Sequence, residues 1–353
     1  MTKRRLLRAT GLAAALALLC GLLLTGALAD GTPNLKTYKK AMDYVKKNAP
    51  MTLTLEKVRF TPKELLAIKQ AMPEGAELHF STNWKNARFA DTSEEVDLRE
   101  CTSGVKEADL EAIIALCPNV KTINNAAKRY PSNDVMIPLI EKYPQIHFEW
   151  VVHLGGGHYC PTTATAWSTF NEPSKGYKLT SEHMELMKYV PGLKALDLGH
   201  NRISSLDWLR NFPDMEFLIL GDNQITDLTP LGDLPHLKYV EIFSQDVTDL
   251  SPLANCHELL DVNFTYCKLI TDLSPLDGIE TLERFWGNHL EGVPEAEKER
   301  FIAAHPNTQV MFKGPHATSD GWRKHPRYKH YIWCLKNRQW VPFDQPLPTK
   351  KSK

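Results

Sequence analysis

A period of 22 residues is the feature of this sequence that most restricts its fold. Copies of the pattern Leu-x-x-Leu-x-Leu-x-x-Asn-x-Ile, with some replacements, begin at Leu193, Met215, Leu237 and Leu259, and a degenerate copy begins at Leu282. The apolar fourth and sixth positions alternate as the buried face of a short strand requires. One copy cannot bury its own apolar face, so successive copies must stack and share a continuous core.

A second element, Thr-Asp-Leu-x-Pro-Leu, recurs in phase with the first at residues 226–231, 248–253 and 271–276. Its proline fixes φ at the start of a short helical turn on the side opposite the strand. The Asn at the ninth position of the repeat can bond backbone groups of adjacent coils, although Gln245 and Cys267 replace it in two copies. The two elements predict an α/β solenoid, a horseshoe with parallel strands on its concave face and helices and short turns on its convex face.

These repeats resemble the leucine-rich repeats of the bacterial internalins and of phosphatase-regulator-type repeat proteins. Both groups share the 22-residue unit and the Asp-Leu-x-Pro-Leu element. The resemblance covers residues 193–290, under a third of the chain. It implies a leucine-rich-repeat horseshoe, and it does not identify a ligand.

Longer and less regular repeats are predicted before this region. Each consists of an amphipathic helix, a proline and a short apolar strand, an order that resembles the ribonuclease-inhibitor type of leucine-rich repeat. The tripeptides Leu78-His79-Phe80 and Ile146-His147-Phe148 lie 68 residues apart and indicate a double unit that occurs twice. The helices are predicted at residues 61–72, 107–117, 134–143 and 181–189.

The first residues have the composition of an export signal. Four cations between Lys3 and Arg8 precede residues 11–29, which carry no charge and end in a small-x-small site at Ala27-Leu28-Ala29. Cleavage and retention as an uncleaved anchor are both open, since the apolar stretch is near the minimum for a membrane span. Either way we expect the folded part to be secreted or held at the cell surface, with membrane contact only through that anchor.

The chain therefore divides into five predicted parts. They are a signal or anchor (1–29), an N-terminal helical cap (30–52), long irregular leucine-rich repeats (53–192) with a loop insertion at 153–176, regular 22-residue repeats (193–290), and a C-terminal capping repeat with a basic aromatic tail (291–353). Six cysteines follow Ala29. Disulfides and buried thiols are both open for them, and thiols are favoured because four lie where the repeats need a small buried residue.

A ligand-binding site is predicted on the concave face. Positions between the inward leucines project outward, and in successive strands they bring several aromatic rings next to acidic and amide groups. Such a patch suits a protein partner or a glycan, although aromatic cross-strand pairs can also serve only to stabilise the sheet. The predicted ligand-binding residues are Phe217, Ile219, Tyr239, Glu241, Phe243, Asp261, Asn263, Arg284 and Trp286.

The loop insertion contains residue types found in zinc sites and phosphate-binding loops, but it lacks the complete motif of either. His153, His158 and Cys160 are zinc-ligand types without a fourth ligand nearby in sequence. The glycines at 155–157 lack the Lys and Ser/Thr of a phosphate loop. We therefore predict no metal and no cofactor, and expect a loop that covers the concave face as a lid.

Charge is distributed unevenly along the chain although the total is zero. Residues 190–290 contain sixteen Asp/Glu and six Lys/Arg, whereas residues 312–353 contain ten Lys/Arg and two Asp/Glu. An acidic repeat face argues against nucleic acid as a partner. The basic tail is expected to cap the solenoid with its cations against the acidic repeats. The alternative is a separate binder of anionic polymers through cations such as Arg323 and Arg327.

Catalysis is not expected. The sequence has neither a Gly-x-Ser-x-Gly elbow nor a His-Glu-x-x-His motif, and the 41 residues after Phe312 are too few for an added catalytic domain. We predict an exported, monomeric recognition protein that binds a protein or glycan ligand on its concave face. The alternative is a structural or scaffolding component of the cell envelope without a single ligand site.

Overall fold

The computed structural model describes residues 34–126, 131–171 and 176–348. The export signal or anchor predicted over residues 1–29 lies outside them. Among the helices of the described ranges, none has the length and apolar character needed to cross a membrane.

The 22-residue repeats lie in one parallel sheet, here called the concave sheet, which also has one strand before them and one after them. Its strands follow chain order along the sheet, and every neighbouring pair is parallel. This confirms the predicted leucine-rich-repeat solenoid. The strands are β9 (Ala166–Ser168), β10 (Ala195–Asp197), β11 (Phe217–Ile219), β12 (Tyr239–Glu241), β13 (Asp261–Asn263), β14 (Arg284–Trp286) and β15 (Gln309–Met311).

The register of the concave sheet aligns the repeat leucines in one buried row. Leu196 pairs with Leu218, which pairs with Val240, then Val262 and Phe285. All five side chains have 0% exposure. Each coil therefore buries its apolar face against its neighbours, as the spacing predicted.

Side chains at the ninth repeat position connect adjacent coils. The Oδ1 atom of Asn223 accepts a hydrogen bond from a backbone N–H of the preceding coil at 3.0 Å, and Nδ2 donates to a carbonyl of that coil at 2.9 Å. Gln245 makes the same pair of bonds at 2.8 and 2.9 Å. The departure from Asn is tolerated because the longer amide reaches the same two backbone groups.

Short helical turns lie on the opposite side of these coils. In the last three, a proline occupies the first or second helical position, where its missing N–H leaves no hydrogen bond unmade. The turns are 3₁₀ helices at Asp207–Asn211, Thr229–Asp233, Ser251–Asn255 and Ser274–Leu276.

The N-terminal part contains longer coils with α-helices. Thr61 caps the helix that begins at Pro62: its Oγ1 accepts from the N–H of Glu64 at 3.1 Å, and Glu64 accepts from the N–H of Thr61 at 2.8 Å, which together form a capping box. The helices are α1 (Tyr38–Asn48), α2 (Pro62–Ala71), α3 (Glu107–Leu116), α4 (Asn133–Lys142), α5 (Ser181–Met184) and, after the concave-sheet strand β14, α6 (Glu295–Ala304).

Three smaller sheets accompany these helices. Their strands are β1 (Thr52–Val58), β2 (Glu77–Trp84), β3 (Ala87–Ala90), β4 (Glu95–Asp97), β5 (Thr122–Asn124), β6 (His147–Glu149), β7 (Val151–Gly155) and β8 (His158–Pro161). One sheet has the order β1-β2-β3 with an antiparallel third strand, one is the parallel sheet β4-β5-β6, and β7 with β8 forms an antiparallel hairpin.

The segment predicted as a loop insertion, 153–176, is mostly regular structure in its described residues. It includes most of the β7–β8 hairpin, whose turn uses glycines with positive φ at Gly155, Gly156 and Gly157, and it continues into β9. The described residues of this segment do not form the expected lid over the concave face. They belong to the coil itself, since β9 is a strand of the concave sheet and Trp167 is fully buried in the core. Across the described ranges, no group of three or more His, Cys, Asp and Glu side chains is placed to hold a metal ion.

The apolar core runs through the described coils as one cluster that extends from Ala41 to Phe301. The six cysteines after residue 29 are all buried, and Cys101, Cys117, Cys256, Cys267 and Cys334 are free thiols. Burial raises the pKa of the Cys117 and Cys256 thiols to about 12, so these groups stay protonated and act as small apolar residues. A second apolar cluster lies on the other side of the concave sheet.

Candidate functional site

Residues 320–347, here called the C-terminal segment, fold back over the concave sheet. They contain a 3₁₀ turn at Trp322–Lys324 and helix α7 at Pro326–Asn337. The helix begins where Pro326 occupies the first helical position and His325 Nδ1 accepts from the N–H of Arg327 at 3.2 Å. It ends at Arg338, which has a left-handed φ of 56°.

Aromatic rings fill the space between the C-terminal segment and the sheet. Phe217 stacks on Tyr239 with ring centroids 4.5 Å apart, and Tyr331 of α7 contacts both rings at 4.6 and 5.5 Å. Trp322 lies 5.9 Å from Tyr239 and 5.3 Å from Trp286. Because these rings are buried, the segment forms an integral second core on the concave side.

Buried ion pairs join the same two layers. Asp261, with 0% exposure, accepts from Arg284 at 2.9 Å and from Arg327 of α7 at 3.0 Å. Burial raises the pKa of Asp261, and the two guanidinium groups oppose that rise. Arg323 bonds Glu241, which is 1% exposed, at 3.0 Å. The basic residues of the tail thus compensate carboxylates that the outward face of the strands places under them.

The segment also reaches the first strand of the sheet. The backbone N–H of Trp340 donates to Thr165 Oγ1 at 2.6 Å, and the N–H of Thr165 donates to the carbonyl of Arg338 at 3.2 Å. The indole Nε1 of Trp340 donates to Glu216 at 2.9 Å. The C-terminal segment therefore contacts coils of the concave sheet from β9 to β14.

These contacts correct the expected exposure of the predicted site. The register is as predicted, but seven of its nine residues are buried, and Phe243 and Arg284 alone among the nine keep intermediate exposure. Strand register shows which way a side chain points and cannot show that a distant part of the chain covers it. The seven buried residues are Phe217, Ile219, Tyr239, Glu241, Asp261, Asn263 and Trp286.

One part of the concave side stays open as a cleft of about 440 Å³ between the early strands and α7, here called the concave cleft. Phe170 is 81% exposed beside it. Phe243 lies over Gly221, where a Cβ would come within 2.1 Å of its ring, so only glycine leaves room for this ring position. The cleft is lined by Ser168, Phe170, Asp197, Gly199, His200, Ile219, Glu241, Phe243, Arg323, Tyr328, Ile332, Leu335 and Lys336.

Asp197 is the buried acid of the concave cleft. Its carboxylate accepts from Ser168 Oγ at 2.9 Å and from the N–H of Gly199 at 3.2 Å. Burial raises the pKa of Asp197, and these two hydrogen bonds oppose the rise. Within the described residues no Lys or Arg forms an ion pair with it, so a ligand that brings a cation or a hydrogen-bond donor would stabilise its charged form.

His200 and Phe243 border the open side of the cleft. The Nδ1 atom of His200 lies 2.7 Å from Asp222, and its ring centroid lies 5.8 Å from that of Phe243. A second hollow of about 240 Å³ continues past His200 and Phe170 towards Tyr177. The cleft offers apolar walls and hydrogen-bonding groups together, an arrangement typical of binding pockets.

Several residues of the cleft were missed by the sequence analysis. Asp197 and Gly199 lie in outward positions of the first regular repeat, so register alone could have included them. Phe170, Ile332 and Lys336 belong to segments outside the 22-residue pattern, and nothing in their local sequence indicates that they meet the concave sheet.

Comparison with known proteins supports the repeat fold. The family model for leucine-rich repeats, in two copies, matches residues 191–233 and 213–255. No curated protein matches the sequence. An internalin C2 structure from Listeria monocytogenes is 20% identical, covers 59% of this chain and 84% of its own, and has a TM-score of 0.34.

Two further solved structures are similar at the same level. An internalin from the same organism, inlF, is 14% identical, covers 84% of this chain and 87% of its own, and has a TM-score of 0.31. A leucine-rich-repeat protein from Leptospira interrogans is 17% identical, covers 72% and 70%, and has a TM-score of 0.36. Such values say nothing about a ligand, so the assignment to leucine-rich repeats depends on the family model and on the stacked parallel coils.

Proposed function

We propose that this leucine-rich-repeat protein, whose regular coils are internalin-like, is an exported, non-catalytic recognition protein that binds its ligand in the concave cleft. The observation that supports this most directly is the cleft of about 440 Å³ that the C-terminal segment leaves open. Leucine-rich-repeat proteins commonly bind other proteins. The proposed ligand is a protein segment or a glycan.

The lining favours a ligand with an apolar body and a positively charged or donor group. Phe243, Ile332 and Leu335 supply apolar contact, and Phe170 is exposed at the edge, where an aromatic ring can cover part of a bound molecule. Asp197 supplies a buried acceptor at the base. Because Arg323 and Lys336 also line the cleft, a protein segment that presents a neutral hydrogen-bond donor beside an apolar residue fits this combination best.

Export is supported by the N-terminal sequence alone. The cationic start, the uncharged residues 11–29 and the small-x-small site are typical of a secretory signal. We propose a secreted or surface-attached monomer, with membrane contact only through an uncleaved anchor and without a nucleic-acid partner. The acidic regular repeats support the last point.

The first test replaces Phe170 and Phe243 together with Ala in the chain from Asp30 onward. We expect capture of the ligand from cell-surface extracts or a glycan array to weaken at least ten-fold, about 1.4 kcal/mol. Thermal unfolding should change little because neither ring is buried. The matched control is Leu269→Ala, an apolar residue that is 50% exposed and does not line the cleft. Equal capture by both variants would contradict binding in the concave cleft.

The second test is Asp197→Asn, examined as a function of pH. The folded state raises the pKa of Asp197, so wild-type stability falls as pH rises from the unfolded pKa through the folded one. Asn has no proton to lose and stays neutral at every pH, so the variant should gain melting temperature over wild type at pH 7 and lose that gain near pH 3. Ligand affinity at pH 7 should fall. A uniform loss of stability at every pH would show that Asp197 is only a structural acceptor.

The scaffolding alternative has one observation in its favour. The aromatic patch of the concave face stabilises the C-terminal segment instead of facing solvent, so most of the predicted ligand-binding residues are used inside the protein. If surface extracts and glycans yield no ligand that distinguishes Phe170 and Phe243 variants from wild type, the structural role is favoured.

A further inference from the structure

A further cavity lies on the first sheet, β1-β2-β3, and shares no lining residue with the concave cleft. Its volume is about 560 Å³, and all its charged lining residues are basic. We call it the basic pocket and define it by Lys57, Arg59, Arg88, Ser81, Asn83 and Ser93. The surrounding chain is also positive, since residues 34–90 contain eleven Lys/Arg and five Asp/Glu.

The sheet register brings the polar side chains of the basic pocket together. Ser81 pairs with Ala90, and Asn83 pairs with Arg88 on the antiparallel strand β3. Residues two apart on a strand share a face, so Ser81, Asn83 and Arg88 lie on the side opposite the buried Phe80. The pocket is thus part of a regular sheet and not of a mobile loop.

An irregularity in β1 places Lys57 in the basic pocket. The pairing of β1 with β2 shifts between Leu55 and Val58, and Lys57 has a left-handed φ of 51°. The N–H of Lys57 donates to Ser81 Oγ at 2.8 Å. A bulge of this kind redirects a side chain, and a non-glycine residue in this region is under backbone strain. Here the redirected side chain is a cation that lines the pocket.

The charges of the basic pocket are uncompensated. In the described part of the chain, neither Lys57, Arg59 nor Arg88 forms an ion pair, whereas the arginines of the C-terminal segment pair with buried acids. The two carboxylates that follow Arg88 most closely in sequence have other partners: Asp91 accepts from the N–H of Phe80 and contacts His79, and Glu94 pairs with Lys121. A pocket lined by three cations that have no ion-pair partner attracts an anion.

We infer that the basic pocket binds sulfate or phosphate groups carried by an anionic glycan. Guanidinium groups bind tetrahedral oxyanions through paired N–H donors, and lysine adds a point charge. The pocket is larger than one oxyanion needs, and the hydroxyl and amide groups of Ser81, Asn83 and Ser93 can bond sugar hydroxyls. This site is separate from the concave cleft and does not depend on the function proposed there.

The test measures binding of sulfated dextran to the chain from Asp30 onward by calorimetry at two salt concentrations. We expect binding that weakens with salt, and a loss of at least ten-fold in affinity for the double variant Lys57→Gln, Arg88→Gln. The matched control, Lys39→Gln with Lys63→Gln, removes the same charge from exposed helix positions and should change affinity less than two-fold. The affinities for inorganic sulfate and for neutral dextran, measured in the same way, show whether the sulfate charge or the sugar contributes more to binding.

A single variant separates binding from folding. Glycine accepts the left-handed φ of residue 57 without strain, so Lys57→Gly should keep or raise the melting temperature while it weakens sulfated-dextran binding. Three results would overturn the inference: no binding by wild type, equal losses in the pocket and control variants, or tighter binding of a DNA oligonucleotide of the same charge than of sulfated dextran.

Discussion

Removal of residues 320–353 is expected to lower the melting temperature by at least about 5 °C and to make the protein self-associate. The deletion takes away Trp322, Tyr331 and Leu335, which are 2–3% exposed, and uncovers the rings of the concave sheet. A buried side chain of this size contributes about 1.5–3 kcal/mol, and each kcal/mol shifts the melting temperature by about 2–4 °C in domains of ~150–250 residues. The exposed apolar patch would then promote association.

Calorimetry and size-exclusion chromatography measure these two effects. Addition of the deleted segment as a separate peptide should restore part of the lost melting temperature, because its contacts with Phe217, Tyr239 and Trp286 are made through side chains. A truncated protein that stays monomeric and melts within about 1 °C of wild type would contradict the capping role and favour a tail that binds anionic polymers separately.

A single substitution in α7 should have nearly as large an effect. Arg327→Met removes one of two guanidinium partners of the fully buried Asp261 and also the bond to Glu283 at 2.9 Å. Loss of one member of a buried ion pair costs about 3–5 kcal/mol. We expect a value near the lower end, about 3 kcal/mol, because Arg284 stays at 2.9 Å from Asp261.

Lys329→Met is the matched control for that measurement. Lys329 lies two residues further along the same helix, and its side chain is exposed and forms no ion pair among the described residues. Denaturant unfolding at one pH should show a change of at most about 0.5 kcal/mol for the control. Similar losses for both variants would mean that net charge, and not the buried pair, stabilises the segment.

The 22-residue pattern was sufficient to predict the strands, their parallel order and the buried row from Leu196 to Phe285. Such periodic residues act locally: each one contacts its own coil and the next coil. The covering of the concave face has no such period, because it joins Tyr239 to Trp322 and Thr165 to Trp340 over long separations. The opposite charges of the repeats and the tail were the one sequence feature that indicated this contact.

The residues of the concave cleft could also be predicted only where they belong to the 22-residue pattern. Phe243 was predicted from its register, and it does line the cleft. Phe170 follows a strand that the spacing did not reveal, since β9 begins a sheet before the first regular repeat. Ile332 and Lys336 enter the cleft only because α7 crosses the sheet.

The path of the C-terminal segment also bears on how the protein unfolds. In most solenoids each coil contacts only its neighbours, so end coils can fray while the middle stays folded. Here one stretch of chain bonds Asp261 and Glu241 in the later coils and Thr165 beside the first strand. The segment connects coils that are not adjacent, so we expect the coils from β9 to β14 to unfold together and not one after another from the ends. We therefore expect this repeat protein to unfold in one cooperative step, as a single globular domain does.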